Sequence, residues 1–144
     1  PYIAAYYRLW EKFWTERVPA GEWFARDKER QYLYFGWPKY LDQVRFDDIE
    51  KSRNFLEIAL ESVQTEQERK RARFLLKTFT YYEASALSYI GLKKGTRQEG
   101  KNIGYYQMMN KRRYDLVESF DSDPVLKHPL RFDKNSQLRQ NFTW

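Results

Sequence analysis

Asp47, Asp48 and Glu50 are close neighbours in the sequence, and paired carboxylates are the first chemistry to weigh. Glycoside hydrolysis needs two of them facing each other across a cleft. Their setting argues for another role. They open an apolar pattern of helical period, where negative charge complements the helix dipole and caps the first N–H groups. Glu83 stands inside an apolar stretch, among Tyr81, Tyr82, Ala84 and Ser85. A buried partner such as an arginine suits that setting better than acid–base work. No carboxylate pair stands out, so no catalytic residue is assigned. The chain has no Cys, which excludes disulfides, thiolate metal sites and cysteine catalysis. Its single His, His128 between Lys127 and Pro129, excludes a multi-histidine metal site. No metal or cofactor is expected.

Aromatic rings are the second resource. The chain holds 12 Tyr, 10 Phe and 5 Trp, and a dense group lies between residues 20 and 46, where no helical period is sustained. Trp23, Phe24, Tyr32, Tyr34, Phe35, Trp37 and Tyr40 are the candidate contact residues. Trp and Tyr faces stack on the C–H face of a sugar ring. The same rings could instead fill the gap to another domain, since aromatics carry a large apolar surface, and docking is the favoured reading.

Basic residues are the third. The formal charge is +6 and the isoelectric point near 9.4. Lys93, Lys94, Arg97, Lys101, Lys111, Arg112 and Arg113 face one acid, Glu99, and Arg69, Lys70, Arg71 and Arg73 form a second cluster. That second cluster opens with Glu66 and Glu68 and runs around several helical faces. No helix-turn-helix or zinc-finger pattern accompanies either cluster. A solvated basic face is therefore preferred over nucleic-acid binding.

The elements that must position these residues are helical. Ile3, Tyr6, Tyr7, Trp10, Phe13, Trp14 and Val18 recur in steps of three and four, and Pro19 and Gly21 stop the pattern. A second helix is predicted from about Asp48 to Val63, with Asp47 and Glu50 as its capping pair and Ile49, Leu56, Ala59, Leu60 and Val63 inward. Thr65 and Glu68 form a fuller capping box for a third. Its stripe is Ala72, Leu75, Leu76, Phe79, Tyr82, Ala86 and Tyr89, ending near Gly91. Residues 91–104 hold four Gly and no period, and read as a loop. A fourth helix follows from about Asn102 to Phe120, with Ile103, Tyr106, Met109, Leu116, Val117 and Phe120 inward, and Asp121 to Pro124 end it. Tyr32 to Phe35 could make a short strand. The 144 residues then form a single all-α domain, a four-helix-type bundle with a long aromatic loop and an extended C-terminal tail. A mean hydropathy of -0.90 with no long apolar run excludes a membrane-spanning helix. Pro1-Tyr2-Ile3 enters a helical pattern without an initiator Met or signal-like segment, so the chain is expected to be a piece of something longer.

Several stretches resemble a bacterial family called domain of unknown function 4838. They are Tyr6-Tyr7-Arg8-Leu9-Trp10-Glu11 with Trp14, Arg30-Gln31-Tyr32-Leu33, Tyr81-Tyr82-Glu83-Ala84-Ser85, and the run from Asp123 through His128 to Asp133. These are packing motifs, and the stretch from Gly91 to Gly104 matches least. The resemblance implies the C-terminal helical part of a glycoside-hydrolase-type protein. A glycosidase-like barrel, with an α-glucuronidase-like domain before it, would precede Pro1. Barrel active sites sit on loops at the C-terminal ends of strands, so no catalytic residue carries over. The implied function is a non-catalytic accessory domain that packs on that catalytic domain, in a secreted or periplasmic protein. The alternative is a stand-alone binding module, for carbohydrate through the aromatics or for nucleic acid through the basic loop and helix. Freed of its neighbour, the docking surface would promote self-association.

Overall fold

A computed structural model describes residues 1–22, 24, 39–93, 103–120 and 122–126. They are all-α: four α-helices and no strand among the described residues. The helices are α1 (Tyr2–Lys12), α2 (Phe46–Glu61), α3 (Glu66–Ser88) and α4 (Ile103–Ser119), and α1 and α3 each continue into a π-helical turn, Phe13–Arg17 and Tyr89–Lys93. The chain divides into two compact units, Pro1–Thr80 and Tyr81–Trp144. Residues 66–80 of α3 belong to the first unit and residues 81–88 to the second.

In the first unit α1 packs chiefly on α2. Trp10 and Phe13 come inward from the first helix, Ile49, Leu56 and Ala59 from the second, and Ala72 and Phe79 from α3. Leu41 and Val44 close the core from the segment around the 3-10 turn Lys39–Gln43. Phe79 is sealed by the Tyr6 ring, edge-on at 5.8 Å, and by the Arg53 guanidinium 5.9 Å from its centroid. Leu75 and Leu76, expected on the inward stripe, stay half-buried.

The start of α2 differs from the expected one. The helix begins two residues earlier, at Phe46. Asp48, rather than Asp47 with Glu50, takes the capping role, its carboxylate accepting from the Arg45 N–H at 3.0 Å. Asp47 instead pairs with Lys51 one turn on, and Glu50 faces solvent. The capping box of α3 forms as its residues imply. The Glu68 N–H donates to the Thr65 hydroxyl at 3.2 Å, and the Thr65 N–H donates back to the Glu68 carboxylate at 2.9 Å.

The second unit is built from the end of α3, its π-helical turn and α4, with Ala86, Leu87, Tyr89, Ile90, Tyr106, Met109, Val117 and Phe120 buried. The stripe ends near Gly91 as expected, with Gly91 itself inside the π-helical turn. A Cβ added there would stand 1.8 Å from Cγ of Tyr106, so the Tyr106 ring rests on bare backbone. Ile103, expected inward, is exposed: it is the first residue of α4, ahead of the packed face that Tyr106 opens. The helix end is finished by Asp123, whose carboxylate accepts from the N–H groups of Val125 and Leu126 at 2.9 and 3.0 Å.

Candidate functional site

Of the seven aromatic candidates, Trp23, Tyr32, Tyr34, Phe35 and Trp37 lie outside the described residues, as does the strand expected over Tyr32–Phe35. Phe24 and Tyr40 are described, and both are half-buried in the first unit. Tyr40 does not stand alone. Its ring meets Trp14 with centroids 5.0 Å apart and planes tilted by 39°.

That contact identifies a residue absent from the candidate set. The three-and-four spacing puts Trp14 on the apolar stripe of the first helix, yet it is 48% exposed, and Tyr7 is 54% exposed. The cause is local. The Val18 N–H bonds to the Phe13 carbonyl at 2.9 Å, five residues back, and the wider turn carries Phe13 and Val18 inward. Trp14 rides around the outside. The sequence did carry a signal, because Tyr6-Tyr7 and Phe13-Trp14 are aromatic doublets seven residues apart. Adjacent residues on a helix differ by about 100° in direction, so both members of a doublet cannot point into one core. In each doublet the first ring packs and its neighbour faces outward. Burial, with Tyr7 alongside, pushes the Tyr6 hydroxyl up to about 12.

Beneath this aromatic edge lies an ion pair. Arg17, on the same π-helical turn, donates both terminal nitrogens to Asp48 (one of them at 3.2 Å) and reaches the Gln43 carbonyl at 3.3 Å. Its guanidinium also lies 5.7 Å from the Phe13 ring centroid. Asp48 therefore joins the π-helical turn, the segment after the 3-10 turn and the start of α2. Its role is structural, in keeping with the capping expected of this acidic group. Glu83 is buried in the second unit and engaged by neighbours. Arg113, also buried there, donates to Asn110 Oδ1 at 3.3 Å, and burial lowers its guanidinium from the ordinary range.

A cavity of about 290 Å3 opens between Tyr2 and Ile3 of α1, Ala59 of α2 and Arg71 of α3. Glu68 lines it as well, but its carboxylate is committed to the backbone of Gln64 and Thr65. Among the described residues no group of three or more His, Cys, Asp or Glu side chains could hold a metal ion. No described helix is long and apolar enough to cross a membrane. Searches of protein-family models, of curated proteins and of solved structures return no match to this chain.

Proposed function

We propose that this chain is a non-catalytic helical accessory domain, and that the aromatic edge of α1 packs on a glycoside-hydrolase-like domain of the same protein. The observation that carries the docking part is the pair Tyr7 and Trp14. The two large rings, each about half exposed, stand one on α1 and one on the ion-paired turn that follows it. Buried aromatics with fixed neighbours dominate many protein contacts, because they bring a large apolar area at little conformational cost. The choice of a glycosidase-like neighbour rests on the family resemblance. The test compares the chain alone with the chain joined to that domain, using acrylamide quenching of tryptophan fluorescence and a Trp14→Phe control. Protection of Trp14 in the joined protein supports the reading. Equal quenching in both forms removes it.

The Trp14–Tyr40 contact favours a second reading, carbohydrate binding. Trp14 keeps about half of its surface exposed beside Tyr40, which suits stacking on the C–H face of a sugar, with Glu11 and Thr15 close to it in sequence. Soluble oligosaccharide would then shift the Trp14 component of the fluorescence, with little response to salt. A joined domain that protects Trp14, with no oligosaccharide effect on the isolated chain, decides for docking.

A further inference from the structure

The run from Arg69 to Tyr82 contains five cations and no acid. The fold uses only part of this charge: Arg71 helps to hold the Glu68 carboxyl low, and Lys77 is engaged by a neighbour. Cations complement a helix dipole at the C-terminal end, within the last turn, whereas these sit in the first half of α3. Elsewhere the helices offset their cations locally: Lys51 pairs with Asp47, Arg53 with Glu57 at 3.1 Å, and Lys111 with Asp115 at 2.6 Å. Arg69 has Glu66 at 3.7 Å. Among the described residues no carboxylate pairs with Lys70 or Arg73. Like charges three and four residues apart, as in Lys70 with Arg73 and Arg69 with Arg73, lower helix stability.

Their arrangement is also more ordered than the sequence suggested. On a helix of 3.6 residues per turn, Lys70, Arg73 and Lys77 fall within about 60° of arc, spaced by rises of about 4.5 and 6 Å. Arg69 and Arg71 flank that strip. Beside it lies Phe74, 38% exposed, an aromatic side chain left among cations. A positively charged track with a ring beside it is the minimal plan of a single-strand binder. Cations follow the phosphates, and a base stacks on the ring without regard to sequence. A duplex reader would instead present polar side chains aimed at base edges. A membrane surface would want a broader apolar face than one phenyl ring.

We propose that the Lys70–Arg73 face of α3 binds single-stranded nucleic acid, with Phe74 stacking on a base. The site is separate from the aromatic edge of α1 and does not depend on the accessory-domain reading. Its affinity is modest, since about two phosphates are neutralised. The measurement is fluorescence anisotropy of a labelled oligothymidylate titrated with the full chain at several salt concentrations. The expected logarithmic salt slope is about -1.4, the value for two contacts to a single strand. Lys70→Gln with Arg73→Gln should flatten that slope by about 1.4, while Phe74→Ala should weaken binding about fivefold and leave the slope unchanged. The charge-removing variant should melt no lower than the parent chain, because it relieves repulsion. That combination separates a binding defect from an unfolded protein. Three results would overturn the proposal. One is no binding at low salt. Another is equal competition by polyglutamate with no effect of Phe74→Ala, which points to an acidic protein partner. The last is capture by phosphatidylserine vesicles but not by the oligonucleotide.

Discussion

Removing the Asp48 carboxylate tests whether the ion pair holds the first unit together. In Asp48→Ala the Arg17 guanidinium loses two acceptor contacts and the Arg45 N–H loses its cap. Breaking a fully buried pair from one side costs about 3–5 kcal/mol, because the other charge is stranded. Asp48 is 7% exposed but Arg17 is 25% exposed, and its guanidinium can turn towards water. The ionic loss therefore falls below that range, at about 2 kcal/mol. The missing N-cap adds about 1 kcal/mol, giving about 3 in all. Arg17→Met keeps the packing on Phe13 and leaves Asp48 buried with a single N–H donor, at a similar cost. The double variant strands neither charge, so it should be little worse than either single one. That leaves a coupling of about 3 kcal/mol, the upper end for residues in direct contact. Urea denaturation followed by circular dichroism supplies all four corners of the cycle. Additive losses, with a coupling below about 0.5 kcal/mol, would refute the argument, since the two groups would then be independent.

Phe79→Ala should destabilise the chain by about 3–5 kcal/mol, for Phe79 is fully buried under Tyr6 and Arg53; a loss below about 1 kcal/mol in the same assay counts against this packing. Gly91→Ala should also destabilise, by about 1–3 kcal/mol or more, because the new methyl group collides with the Tyr106 ring. Ala is the better helix former, so a rise in melting temperature would show that the ring moves aside freely. Backbone and hydroxyl hydrogen bonds from Thr65, with the Gln64 N–H, hold the Glu68 carboxyl below the ordinary glutamate range. The stability this contributes is present at neutral pH and is lost as pH falls through the depressed folded value. Glu68→Gln should flatten that acid limb of a stability–pH curve; an unchanged limb would show that the capping box is not the titrating element.

The helices and the α3 capping box are legible because each rests on local chemistry: three-and-four spacing for the stripes, and the Thr65–Glu68 pair for the start. The start of α2 is misplaced from sequence because three acids compete for one cap. Only the approach of Arg17, 31 positions away, selects Asp48. Such choices between neighbours are made by tertiary contacts that no local pattern contains. Trp14 is misassigned because a strict 3.6-residue period does not carry through a turn with a different one. Gly91 is legible as a helix end, but not as the bare backbone on which a ring rests. Its partner, Tyr106, is 15 residues further on, across the glycine-rich stretch.

The π-helical turn at Phe13–Arg17 has an evolutionary consequence. A wide turn accommodates one residue more than an α-helical turn would, and that residue need not shift the ones before and after it. Trp14 occupies such a position, between the buried Phe13 and the ion-paired Arg17. Loss of a single codon at residue 14 would restore an ordinary helix and leave Phe13, Arg17 and Val18 in their inward places. The exposed indole would disappear while the core kept its register. The surface ring is thus a heritable unit of its own, able to be gained or lost in one step without renegotiating the packing beneath it.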